Sequence, residues 1–231
     1  MIKTVPEAFQ EFMGRYEPTA ATKEAAATKQ NYLRDSLAGH LDVIEDFLTG
    51  SYIKQTQIKP KTDIDVFLVL DPAYWQKQNL QKPREMLSFV FRQLRKTYPR
   101  STMRLDGQAV TVAFQDGFKL DVVPAFKTKE AYMIPSLKPP EWISCNPKVH
   151  IELLTKINQA QNQTLKPLIK MVKCWKVTKS AALRSFHIEL MAARIFSNTS
   201  DAMRADLVSG YPRSLSFFFQ QACHLIDEPM T

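Results

Sequence analysis

The chain has 231 residues, enough to bury a sizeable core as one domain or two lobes, with 45% hydrophobic and 23% charged residues in the balance of a folded soluble protein. Its 31 basic against 23 acidic side chains leave a net charge of +8, which favours polyanionic partners such as nucleotides or nucleic acid. Three widely spaced cysteines exclude a zinc-ligand array or a disulfide framework, and neither a signal peptide nor an apolar run of the ~20 residues needed for a membrane span is present, so a cytoplasmic address without a membrane is expected.

In chain order, the alanine-rich stretch 19–29 suits an exposed helix. Leu33, Leu37, Leu41, Ile44 and Leu48, spaced by three or four, carry the helical pattern towards Gly50, which is placed to end it. A polar segment follows, and then the apolar run Ile64 to Leu70, a buried strand stopped by Asp71-Pro72. Residues 84–98 return to helical spacing. Ala109 to Phe114 and Phe118 to Val123 read as two strands joined by a tight turn at Asp116-Gly117. The proline-containing stretch 127–147 is expected to be a linker or ordered loop. Asn146-Pro147 is a good helix start, and helices are predicted over about 147–160, 164–178, 186–197 and 213–226. The predicted fold class is therefore α/β (α+β): a small mixed sheet flanked by helices over 1–142, then an all-helical lobe over 143–231.

Asp63 and Asp65 stand two apart in a predicted strand, so both side chains leave one face, while Ile64, Val66, Leu68 and Leu70 leave the core face. The same alternation sends Phe118, Leu120 and Val122 one way and Asp121 the other. If the two strands are neighbours, three carboxylates meet on one patch, repel one another and call for a cation. Hard oxygen donors suit Mg²⁺ (or Mn²⁺), which takes its remaining oxygens from water and substrate phosphates. Upstream, Gly50 permits close backbone approach, and the Ser51 hydroxyl with adjacent N–H groups can hold phosphate oxygens. In the helix over 164–178, Lys166, Lys170 and Lys173 share a face that either receives a polyphosphate or is simply solvated. Ser185 reads as the cap of the next helix, a position beside N–H groups that attract phosphate, and His187 reads as structural.

The string Gly50-Ser51-Tyr52, Thr56, Pro60, Asp63-Ile64-Asp65 and Leu120-Asp121-Val122-Val123-Pro124 resembles the polymerase-β-like nucleotidyltransferase superfamily. With Trp142, Asn146-Pro147, Lys170-Met171-Val172-Lys173-Cys174-Trp175 and Ser185-Phe186-His187-Ile188-Glu189, it is similar to the branch of the bacterial cyclic-oligonucleotide synthases of anti-phage signalling, over about 33–219. Thr62 stands where that family often has serine. The resemblance implies that Asp63, Asp65 and Asp121 are the catalytic, metal-holding carboxylates. It further implies that Gly50 and Ser51 contact the triphosphate, that Lys173 and Ser185 clasp the donor phosphates, and that the helical lobe completes the pocket. Ending at Asp227-Glu228-Pro229-Met230-Thr231, that lobe is expected to be shorter than in related synthases.

The expected activity is Mg²⁺-dependent joining of nucleoside triphosphates (ATP, GTP, UTP or CTP) into a cyclic di- or oligonucleotide second messenger, with pyrophosphate released. Nucleotidyl transfer to RNA or protein, and nucleotide sensing without catalysis, stay open as alternatives. A nucleic-acid partner is permitted by the charge but not indicated, and Tyr52 and Phe126 are aromatic candidates for stacking on a base.

Overall fold

The computed structural model describes residues 3–37, 41–59, 63–73, 82–199 and 210–226; Pro60, Thr62 and the closing residues 227–231 lie outside them. The chain divides into two compact units, one of residues 19–53 and 62–148 and the other of 1–18, 54–61 and 149–231. Where the sequence suggests a single cut at 142/143, the helical unit thus also takes in the N-terminal helix and the segment 54–61. None of the described helices is long and apolar enough to cross a membrane.

The first unit is built on a mixed sheet. Strand β1 (Val43–Thr49) pairs antiparallel with β2 (Asp63–Leu70), which lies parallel to β5 (Lys119–Lys127). β4 (Ala109–Ala113) and then β3 (Thr102–Asp106) continue outward, giving the order β1-β2-β5-β4-β3. The turn between β4 and β5 is the one expected: Gly117 sits at φ +85°, and the Phe118 N–H donates to Asp116 Oδ1 at 3.0 Å. One face of the sheet is covered by α2 (Ala20–Leu37) and α4 (Pro83–Thr97). There Ile64, Val66, Leu68, Leu70, Leu120 and Val122 are fully buried with Leu33, Leu37, Leu87 and Leu94. α4 begins at Pro83, whose missing N–H costs nothing in a first turn, while Glu85 accepts from the Lys82 N–H at 3.1 Å. Further along the strands, the opposite face carries a smaller core of Phe67, Val69, Val123, Ala125, Tyr132 and Ile134.

Three expectations are corrected. The helix predicted to run to Gly50 is α2, Ala20–Leu37, and 43–49 is instead the strand β1. Leu33, Leu37 and Leu41 are buried as their spacing requires, but Ile44 is exposed, because residues 41, 44 and 48 satisfy a helical period by coincidence. Gly50 accordingly ends no helix; it opens the single turn α3 (Gly50–Ile53) that leaves β1. The proposed linker 127–147 holds two short strands, β6 (Tyr132–Pro135) and β7 (Trp142–Cys145), which pair antiparallel, β6 also pairing with the end of β5. Four-residue strands are too short to display a period of two.

The second unit packs α1 (Val5–Tyr16), α5 (Pro147–Ala160), α6 (Leu165–Thr178), α7 (Ser185–Ser197) and α8 (Tyr211–Leu225). Its core of Leu154, Leu168, Ile169, Val172, Ile188, Ala192 and Phe218 follows the helical spacing of the sequence. α1 is started by Thr4, whose hydroxyl oxygen accepts from the Glu7 N–H while the Glu7 carboxylate accepts from the Thr4 N–H at 2.8 Å.

Candidate active site: a carboxylate face on the sheet

Strands β2 and β5 run side by side in a register that sets Ile64 beside Leu120, Asp65 beside Asp121 and Asp63 beside Lys119. Ile64 and Leu120 enter the core, so alternation sends Asp63, Asp65 and Asp121 to the other face of two adjacent strands. All three are half-buried, at the end of the strands where the apolar cover of that face has stopped.

Each carboxylate is held differently. Asp121 Oδ1 accepts from the Thr111 hydroxyl at 2.6 Å. Asp63 lies 3.9 Å from the Lys119 ammonium. Asp65 packs against the backbone of Gly50, close enough that no larger residue fits there: Gly50 has φ +69°, and a β-carbon would stand 1.7 Å from Asp65 Oδ2. The close approach permitted by this glycine is therefore made by a carboxylate of the same unit.

Asp121 has its pKa raised, first by burial and further by the negative charges of Asp63 and Asp106, against the Thr111 hydrogen bond and the Arg104 charge, which lower it. The face thus holds like charges near one another, a repulsion that a cation relieves. Among the described residues no three carboxylate, imidazole or thiol groups stand close enough together in this structure to hold a metal ion by themselves. The donor set itself, three carboxylates on one face, is the hard-oxygen chemistry of Mg²⁺ or Mn²⁺ and offers no soft ligand.

Ser51 follows Gly50 in α3, half-exposed beside this face. Tyr52 and Phe126, the stacking candidates, both pack against the main core, Phe126 with its ring centroid 5.5 Å from that of Trp142.

In the helical unit the structure departs from the expected lysine face. Lys170 and Lys173 are buried rather than lining a shared basic surface, and each meets an acid: Lys170 pairs with Glu17, and Lys173 with Glu189 at 2.6 Å. Lys173 also donates to the Thr56 carbonyl at 3.1 Å and to its hydroxyl at 2.9 Å. Glu189, 1% exposed, additionally accepts from Lys54 and, at 2.6 Å, from the Thr56 hydroxyl. Burial would raise the Glu189 pKa, but the two ammonium groups pull it down to about 2. Beside them His150 is depressed to about 4, chiefly by burial and then by the Lys54 charge, and its Nε2 has no hydrogen-bond partner among the described residues. In the sequence Thr56 and Glu189 stand only as members of motif strings, and no local pattern marks Lys54 or His150. Ser185 is corrected by one position: it is the first residue of α7, and Arg184 holds the cap, without a side-chain hydrogen bond. His187 is exposed.

The family described as the Second Messenger Oligonucleotide or Dinucleotide Synthetase domain matches residues 3–158. The cyclic AMP-AMP-AMP synthase of Acinetobacter sp. (strain ATCC 27244 / 9458) is 26% identical over 209 residues, covering 84% of this chain and 59% of that protein. The chain therefore spans less than two thirds of that relative's length. A protein of Bacillus cereus (strain VD146) described as a probable cyclic nucleotide synthase is 23% identical over 242 residues, covering 86% of this chain and 73% of its own length. Among solved structures, E. coli MS115-1 CdnC with ATP superposes with a TM-score of 0.74 and 22% identity, over 95% of this chain and 72% of the other. The 3'-deoxy GTP bound form of Vibrio cholerae DncV gives 0.74 and 10%, over 95% and 76%. At these identities the structural likeness concerns the fold.

Proposed function

The chain belongs to the Second Messenger Oligonucleotide or Dinucleotide Synthetase family, and from that premise we propose that it joins nucleoside triphosphates into a cyclic di- or oligonucleotide at the Asp63, Asp65 and Asp121 face. The observation that carries this reading is the pairing of Asp65 with Asp121 across parallel neighbouring strands, with Asp63 on the same face.

In the proposed reaction a ribose hydroxyl oxygen of one nucleotide attacks the α-phosphorus of another. A new P–O bond forms, the bond from the α-phosphorus to the bridging oxygen breaks, and pyrophosphate leaves. A second such transfer within the linear product closes the ring. Asp63, Asp65 and Asp121 would hold Mg²⁺ or Mn²⁺, which when bound supplies acidification of the attacking hydroxyl and neutralisation of the leaving charge. Asp121, beside Asp65 on the neighbouring strand, is proposed to receive the hydroxyl proton. Ser51, one residue beyond the glycine that seats Asp65, is proposed to donate to the triphosphate. Ser185, in the first turn of α7, offers the helical unit's own phosphate contact. Lys173 reaches a phosphate only by exchanging its Thr56 or Glu189 partners, so its part is proposed to be conditional on substrate. ATP is the first substrate to test, since a relative is a cyclic AMP-AMP-AMP synthase. A cyclic product would serve as a second messenger, and anti-phage signalling is the proposed setting.

Mass spectrometry of reactions containing all four triphosphates decides between the readings. Free cyclic oligonucleotides are expected. Label appearing only on added RNA or protein would replace this proposal with macromolecular transfer, and tight triphosphate binding without turnover would replace it with sensing.

A further inference from the structure

One row of residues crosses five neighbouring strands at a single register: Thr49 on β1, Asp65 on β2, Asp121 on β5, Thr111 on β4 and Arg104 on β3. Thr111 lies between Val110 and Val112, both fully buried in the core of the other face, so its hydroxyl emerges on the side of Asp121. It is 2% exposed, and it donates to Asp121 Oδ1 at 2.6 Å. A bond this short from a hydroxyl to a carboxylate is of the strong, charge-assisted kind.

We propose that Thr111 is a positioning residue for the carboxylate site: its hydroxyl fixes the plane of the Asp121 carboxylate, and with it the direction of Oδ2, so that the oxygens of Asp121 and Asp65 serve the same ion. The need for such a tether is electrostatic. Asp121 stands in the field of Asp63, and a carboxylate with a free χ torsion turns away from like charge. β-branching adds stiffness, because a threonine in a strand has few χ1 choices. Thr111 thus does for Asp121 what the missing side chain of Gly50 does for Asp65. One restrains through a hydrogen bond, the other through a seat on the backbone.

This inference rests on the proposed reading of the face as an ion-dependent nucleotidyl-transfer site. Its test has an arm that does not use activity. Thr111→Val keeps the shape and removes the hydroxyl; Thr111→Ser keeps the hydroxyl and removes a methyl group. Mn²⁺ binding to the full chain, followed by electron paramagnetic resonance, is expected to weaken roughly tenfold in Thr111→Val and to return to within about twofold in Thr111→Ser. In turnover assays, Thr111→Val is expected to lower kcat by about tenfold while KM for the triphosphate stays within about twofold. Circular dichroism establishes that both variants fold, and if Thr111→Val does not, Thr111→Ala is read against Thr111→Ser in its place. Unchanged Mn²⁺ affinity in the hydroxyl-free variant overturns the proposal, as does equal impairment in Thr111→Ser, which would reduce the contact to packing. Absence of Mn²⁺ binding in the wild type overturns it too. A wild type that binds Mn²⁺ but forms no product defeats the functional reading alone, and the binding comparison still decides the role of Thr111.

Discussion

The Asp65 carboxylate sits in the space a side chain on Gly50 would need, with Oδ2 only 1.7 Å from where a β-carbon would stand. Glycine is therefore required there twice over, by its left-handed φ of +69° and by the acid packed on it. Gly50→Ala is predicted to cost about 1 kcal/mol of stability through the backbone alone. Product formation should fall more than tenfold as Asp65 is pushed aside. Thermal melts and product assays check this, and an active, equally stable variant would refute the seating role.

In the helical unit Glu189 is the hinge of a buried charge cluster, binding Lys54 and Lys173 at once. Glu189→Gln leaves two buried ammonium groups facing a neutral amide and is predicted to lose about 3 kcal/mol in urea unfolding. Lys173→Met should lose less, because Glu189 keeps Lys54. The reverse ranking would contradict the arrangement.

His150 sets a pH dependence. Buried, and next to the positive charges of Lys54 and Lys173, it takes up a proton only at about pH 4, against about 6.5 when free. The unfolded chain therefore binds that proton first, and the folded state loses stability as pH falls from 6.5 towards 4. Glu189 acts in a lower window: its carboxylate titrates at about pH 2 in the fold against 4.5 as a free group, so its contribution is intact above that range. Between pH 6.5 and 4.5 the melting temperature of the wild type should fall more steeply than that of His150→Phe. Parallel curves would show that His150 is not held neutral.

Much of the carboxylate face was legible in the sequence, because a strand's alternation is a local property. Ile64, Val66, Leu120 and Val122 declare the core side, and Asp63, Asp65 and Asp121 are left on the other. That β2 and β5 are parallel neighbours is not local; in the sequence their adjacency is only a condition, and the register makes it a geometry. β1 was misread because Leu41, Ile44 and Leu48 fit a helical spacing by coincidence, and only pairing with β2 selects the strand. The Lys54–Glu189 pair joins residues 135 apart, and no spacing rule reaches that far. Lys170 and Lys173 show the same limit: helical spacing names the face they share but not the acids, Glu17 and Glu189, that bury them. The alternation Val110-Thr111-Val112 gives the side on which the Thr111 hydroxyl emerges, and its partner comes only from the sheet order.

The most direct measurement is pyrophosphate release and labelled oligonucleotide formation from α-labelled triphosphates with Mg²⁺ or Mn²⁺, compared between wild type and Asp65→Ala. Wild-type product with a loss on the order of 10²-fold or more in the variant is the predicted result. Equal product from both proteins would remove the carboxylate face from the chemistry.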